Sequence, residues 1–141
     1  MLKIVFEGNI SPFYSSDNLL TQGQLVKLDS GNVGKIVVAG AGDVVYGIVA
    51  QDVIAANVDN YKLDSVTHKA RIGDKVGVYF GTGTYITNQF SGNITVPGTE
   101  LYSGAGGLLV ATVSGSVVAI AETIGNSATA GSEIRVKYVN E

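Results

Sequence analysis

The stretch VVYGIVAQD, Val44–Asp52, decides the class of the fold. In an extended chain its side chains alternate, with Val44, Tyr46 and Ile48 on one face and Val45, Gly47 and Val49 on the other. A strand with one wet face would interleave polar residues. This one does not, so it is expected to be covered on both sides. Gly47 leaves room for another backbone to come close. A second stretch, VVAIAET at Val117–Thr123, has the same make-up of a valine pair, small and aliphatic residues, then an acidic end.

The likeness extends outward from both stretches. One window runs from Gly23 to Asp52, GQLVKLDSGNVGKIVVAGAGDVVYGIVAQD; the other runs from Gly98 to Thr123, GTELYSGAGGLLVATVSGSVVAIAET. Each opens on a glycine and a strand carrying a leucine (Leu25, Leu101). Each continues through a glycine turn, an aliphatic strand and a second turn to the valine pair. This fits a duplicated unit, and it also fits two independent meanders of similar composition. On either reading the core is expected to consist of two similar three-stranded meanders.

Other short apolar runs recur between turn residues. They are Leu2–Phe6, Lys75–Phe80, Tyr85–Thr87, Asn93–Val96 and Glu133–Val139. The last alternates cleanly, with Ile134, Val136 and Tyr138 opposite Arg135 and Lys137. Short strands at near-regular spacing predict an all-β fold, a compact barrel or sandwich of short antiparallel strands with little helix. Two stretches are less regular. Glu7–Gly23 is polar and irregular, with room for one helical turn capped by Asp17. Val53–Ala70 carries Ile54, Ala55, Val58 and Tyr61, which mark either one or two helical turns or a plain connection. The chain divides into an N-terminal arm and irregular linker, residues 1–22, and a β-domain, residues 23–141.

Composition narrows the function classes. Among 141 residues there are 19 glycines and no cysteine, and charged residues make up 15% against about 25% in an average protein. A lightly charged surface suggests that part of it is covered in use. The net charge is −3, and Lys69, Arg71 and Lys75, the densest basic group, are interrupted by Asp74. No nucleic-acid footprint results. No apolar run approaches the length of a membrane span, and the first residues lack the pattern of a signal peptide. On that reading the Asn-x-Ser/Thr triplets at Asn9 and Asn93 are chance matches.

Catalytic chemistry is sparse. His68 is the single histidine, so with no cysteine it cannot build a zinc site of the usual kind, and no G-x-S-x-G elbow accompanies it. GTGTY and GAGDVV contain G-x-G without the pattern of a phosphate loop and read as hairpin turns. The carboxylates Asp43, Asp52, Asp59, Asp64, Asp74, Glu100, Glu122 and Glu133 are scattered. Asn57–Asp64 has oxygen ligands but lacks the glycine and terminal glutamate of a calcium loop. Neither enzymatic activity nor a cofactor or metal is expected. RIGDKVGVY carries the Gly-Asp-x-Val of biotinyl and lipoyl carrier domains, but no hairpin tip here presents their modified lysine.

The run from Gly23 to Gly81 resembles the small capsid decoration, or cement, proteins of tailed bacteriophages. The matching positions are Gly23, Leu25 and Val26, then Gly47 and Ile48, then Gly73, Asp74 and Val76. The resemblance implies an all-β fold and no catalysis. It implies a virion protein, made in the host cytoplasm, that binds the major capsid protein on the capsid exterior and stabilises the shell, often as a homotrimer. Gly23, Leu25, Gly47, Gly73 and Asp74 would then define the fold. In such proteins an N-terminal arm commonly adds to a capsid strand. Leu2, Ile4, Phe6, Phe13 and Tyr14 are the candidate capsid-binding residues, and removing Met1–Glu7 would leave the domain folded. Equally, MLKIVFE reads as an ordinary core strand. A rival reading is a surface carbohydrate- or receptor-binding module using Phe13, Tyr14, Tyr79 and Tyr85. Another is an enzyme whose carboxylates meet only in space.

Overall fold

The computed structural model describes residues 1–6, 9–11, 13–55 and 69–139. In chain order its strands are β1 (Leu2–Phe6), β2 (Asn9–Ser11), β3 (Leu25–Leu28), β4 (Ile36–Val38), β5 (Gly47–Val49), β6 (Val53–Ile54), β7 (Ala70–Arg71) and β8 (Val78–Phe80). They continue with β9 (Gly83–Thr87), β10 (Phe90–Ser91), β11 (Asn93–Ile94), β12 (Glu100–Ser103), β13 (Leu109–Val110), β14 (Ala119–Ala121), β15 (Gly125–Asn126) and β16 (Ile134–Tyr138). Helix among the described residues is limited to one 3-10 turn, Ala105–Gly107. The fold is an all-β sandwich, and no sheet closes into a barrel among the described residues. Asp17 lies in a bend, not in a helical turn. Most of the undecided stretch after Val53, including Val58, Tyr61, His68 and the oxygen-rich Asn57–Asp64, lies outside the described residues.

A five-stranded sheet runs β2-β8-β5-β3-β4, and a seven-stranded sheet runs β1-β9-β16-β14-β12-β13-β10. Neither window is a meander. The first strand of each is central: β3 lies between β4 and β5, and β12 between β13 and β14. The turn after Leu28 closes a hairpin. The next connection instead carries the chain back past β3 to its other side. Asp43 fixes that crossing by accepting from the Gly40 N–H (2.7 Å) and pairing with Lys27 (2.9 Å). Val44 rides on the crossing and is 89% exposed, so cover on both faces begins only after it. Within β5 it is complete, since Gly47, Ile48 and Val49 are all buried.

The two windows share one pairing map, and it reaches beyond them. Numbered along the chain, β2, β3, β4, β5 and β8 make one unit and β9, β12, β13, β14 and β16 another. In both, the spatial order is first, fifth, fourth, second, third. Registers match residue by residue. Val26 lies opposite Gly47 as Leu101 lies opposite Ala119, and Ile48 opposite Tyr79 as Ile120 opposite Lys137. The Gly23 N–H donates to the Val49 carbonyl as the Gly98 N–H does to Ala121, and Tyr46 donates to Val26 as Val118 does to Leu101. Leu20 bridges Val53 as Ile94 pairs with Gly125. Glycines at positive φ coincide as well: Gly23 with Gly98, Gly34 with Gly107, Gly42 with Gly115, and Gly73 with Gly131.

The units do not face each other symmetrically. In the first, Leu25, Ile48 and Tyr79 enter the large core, while Val26, Ile36, Val49 and Val78 fill a smaller core on the opposite face with Leu20, Val53 and Ala70. In the second, the residues equivalent to that smaller-core set (Leu101, Leu109, Ala121, Val136) are the ones in the large core. The positions matching Leu25, Ile48 and Tyr79 are Glu100, Ile120 and Lys137, on the outer face. The units therefore stack front to back. Tyr138 ends up fully buried in the large core, and its hydroxyl has no hydrogen-bond partner among the described residues. Burial pushes its pKa up. An unmet buried hydroxyl is a net cost, so Tyr138→Phe is expected to raise stability by about 1 kcal/mol. A urea midpoint that moves down would contradict this.

Candidate functional site

The N-terminal residues are not a free arm. β1 pairs antiparallel with β9 and forms one edge of the seven-stranded sheet. The Met1 ammonium donates to the Gln22 carbonyl (2.9 Å) and to Asn88 Oδ1 (3.0 Å), and Thr87 Oγ1 donates to the Met1 carbonyl (3.1 Å). Leu2, a candidate for contact with a shell, is instead buried in the large core, because pairing with β9 turns it inward. Ile4 is 48% exposed, beside a bulge that separates it from Phe6. The Phe6 side chain lies outside the described residues.

The polar stretch that follows holds β2, the edge strand of the other sheet, paired with β8. Successive strands of one segment thus supply an edge to each sheet. Ile4, Val5 and Ile10 are exposed along them, with Ile10 47% exposed. Edges of this kind accept an added strand. Lys3, paired with Glu133 at 3.4 Å, and the bulge blunt indiscriminate pairing.

Phe13 and Tyr14 belong to a different surface. Their rings meet edge to face at 5.1 Å. Tyr14 meets Tyr46 at 5.1 Å, and Tyr46 stacks on Phe80 at 5.8 Å and 24°. The Lys75 ammonium sits 5.0 Å from the centre of the Phe13 ring, a cation–π contact. Phe13 is 57% exposed; Tyr14, Tyr46 and Phe80 are half-buried. Burial raises the Tyr46 pKa, against an opposing hydrogen bond with Ser11. The row continues into an open groove of about 680 Å³ bordered by Leu28, Val37, Val44 and Tyr46, with the Lys27–Asp43 pair at its rim. The Lys27 ammonium and then the Gly40 N–H hold the Asp43 carboxyl below its ordinary range.

The other two rings proposed for ligand contact are not on the surface. Tyr79 and Tyr85 are buried and pack on each other at 5.4 Å where the two units meet. Of the fold-defining set, Leu25 is fully buried and Gly47 lies in the centre of its sheet. Gly73 and Asp74 form the turn after β7, where Asp74 N–H donates to the Arg71 carbonyl and the Asp74 carboxylate accepts from the Arg71 N–H. The groove and the ring row were beyond sequence reasoning, because their parts come from stretches far apart in the chain.

Among the described residues no three His, Cys, Asp or Glu side chains gather in a metal-binding group. No helix there is long and apolar enough to cross a membrane, which leaves membrane-crossing strands unaddressed. No family model matches the chain, and no curated protein is significantly similar to it.

Proposed function

We propose that the chain is a structural protein of a phage virion. It binds the major capsid protein on the outside of the shell and stabilises it by contact alone, as a homo-oligomer with the trimer favoured. The observation that carries this reading is the pair of sheet edges, formed by one N-terminal segment, that pair with no further strand among the described residues, with Ile4, Val5 and Ile10 exposed along them. Strand addition at such an edge gives backbone hydrogen bonds, and each buried aliphatic side chain adds roughly 1.5–3 kcal/mol. Several copies on one shell act multivalently, so a weak single contact suffices. The low charge of the chain fits a surface meant to be covered.

Because β1 is part of a sheet, substitution tests the proposal better than deletion does. The double variant Ile4→Glu, Ile10→Glu changes exposed side chains and is expected to keep its far-UV spectrum and melting temperature. Its binding to undecorated capsids should fall at least about tenfold. Decoration at wild-type affinity by the folded variant would sink the idea. The ring row supports a second reading, a carbohydrate- or receptor-binding module. Glycan binding that Tyr46→Ala abolishes would favour it.

A further inference from the structure

The internal repeat identifies a strip of surface that, among the described residues, lacks the cover its counterpart has. In the second unit, Ser103, Val118 and Tyr138 are buried where the first unit stacks on them. The Ser103 hydroxyl donates to the Gly40 carbonyl at 2.8 Å. A Cβ on Gly107 would meet the Leu25 carbonyl at 2.9 Å, and one on Gly115 would meet the Gly42 carbonyl at 3.0 Å. The pairing map equates these positions with Leu28, Tyr46, Phe80, Gly34 and Gly42 of the first unit. There the middle of the face is closed by Leu20, Val53 and Ala70 over Val26, Val49 and Val78, and the end that carries Leu28, Tyr46 and Phe80 is open among the described residues. Leu28 is 46% exposed, Tyr46 and Phe80 are half-buried, the ring row runs along this end, and Leu28 and Tyr46 also line the groove.

What covers this face in the second unit is the back of the first, presenting Leu25, Ile48 and Tyr79. The equivalent back of the second unit presents Glu100, Ile120 and Lys137 to solvent. We infer that the open face of one copy takes the back of the second unit of another, repeating between molecules the front-to-back stacking found within one. This rests on the internal repeat and not on the capsid reading.

The chemistry of the two surfaces is complementary. Tyr79 packs on Tyr85, so Lys137, its equivalent, would arrive at Ser11, the equivalent of Tyr85. Ser11 is hydrogen-bonded to Tyr46, whose ring is stacked on Phe80. An ammonium over those ring faces gains a cation–π contact. Lys137 has no ion pair among the described residues to hold it back. Leu25 lies at Gly107, so Glu100 would arrive at Gly34, beside the Phe13 ring that carries Lys75. Carboxylate then meets ammonium. Such an interface is heterologous: it joins unlike surfaces and closes into a ring when the rotation between copies allows.

Mixing two variants tests this. Leu28→Asp spoils the open face and leaves the back intact; Lys137→Glu does the reverse. Both residues are exposed, so both variants should keep wild-type spectra and melting temperatures. Light scattering should find the wild type associating as its concentration rises, and each variant alone weakened at least about tenfold. The equimolar mixture should form a dimer, since the open face of one variant still fits the back of the other. A wild type that stays monomeric at high micromolar concentration overturns the inference. So does a mixture no larger than its components. Variants that keep their mass but no longer bind capsids would show that the shell covers this face, which also overturns it.

Discussion

Replacing Gly47 with alanine is expected to be among the most destabilising single substitutions in the chain, lowering the urea midpoint sharply. The residue lies in β5, paired on one side with β3 and on the other with β8. An added Cβ would fall inside the van der Waals sphere of the Tyr79 carbonyl oxygen and 2.7 Å from Val78 Cγ1. The first obstacle is backbone, which cannot rotate away. The sheet must part at its centre or the strand must slide. Overpacking of a core costs about 1–3 kcal/mol where side chains can adjust, and here the cost should reach about 3 kcal/mol or more. That is a large share of the 5–15 kcal/mol that holds a typical domain together. The cause is close approach and not backbone conformation, so serine should fare no better. The equivalent position of the other unit is already an alanine, Ala119, so a mild effect at Gly47 would mean that β5 and β8 can separate as their counterparts do. A urea midpoint within experimental error of wild type would refute the clash.

Removing residues 1–7 should be nearly as damaging. The deletion strips an edge strand from the seven-stranded sheet, takes Leu2 out of the large core, and leaves the Gln22 carbonyl and Asn88 side chain without the Met1 ammonium. A leucine lost from a core costs about 2–5 kcal/mol when truncated to alanine, before the strand's own hydrogen bonds are considered. A loss of about 4 kcal/mol corresponds to a melting temperature lower by roughly 10–15 °C at this chain length. A detachable arm would behave otherwise, leaving the melting temperature unchanged. Scanning calorimetry of the truncated chain separates the two, with Leu2→Ala as a milder companion that should show about half the shift.

Alternation exposed the long strands. Ile134, Val136 and Tyr138 announce β16, and the leucine–valine pair of β3 is plain from Leu25 and Val26. The polar two- and three-residue strands left no such trace. Asn9–Ser11, Phe90–Ser91 and Gly125–Asn126 are strands only because distant segments pair with them, as Phe80 does with Asn9. Strand order was hidden for a related reason. Periodicity tells which side chains share a face, but not whether the third strand of a window returns beside the second or the first. The same limit misplaced the aromatic residues. Tyr79 and Tyr85, read as candidate ligand-contact rings, lie buried where two units meet, while Tyr46, in an apolar run, helps form an open surface.

The pairing of Leu2 with Thr87 has a consequence while the chain is being made. Translation proceeds at about 5–20 residues per second, so the first strand waits roughly 4–17 s for its partner to leave the ribosome. During that interval an apolar edge is unclaimed, on every nascent chain of a polysome at once. Lys3 and the irregularity after Ile4 are then safeguards for the newborn polypeptide as much as for the finished one. Replacing Lys3 with a β-branched apolar residue should leave the melting temperature of the purified protein almost unchanged. The soluble yield should fall instead, and slower synthesis should make it fall further.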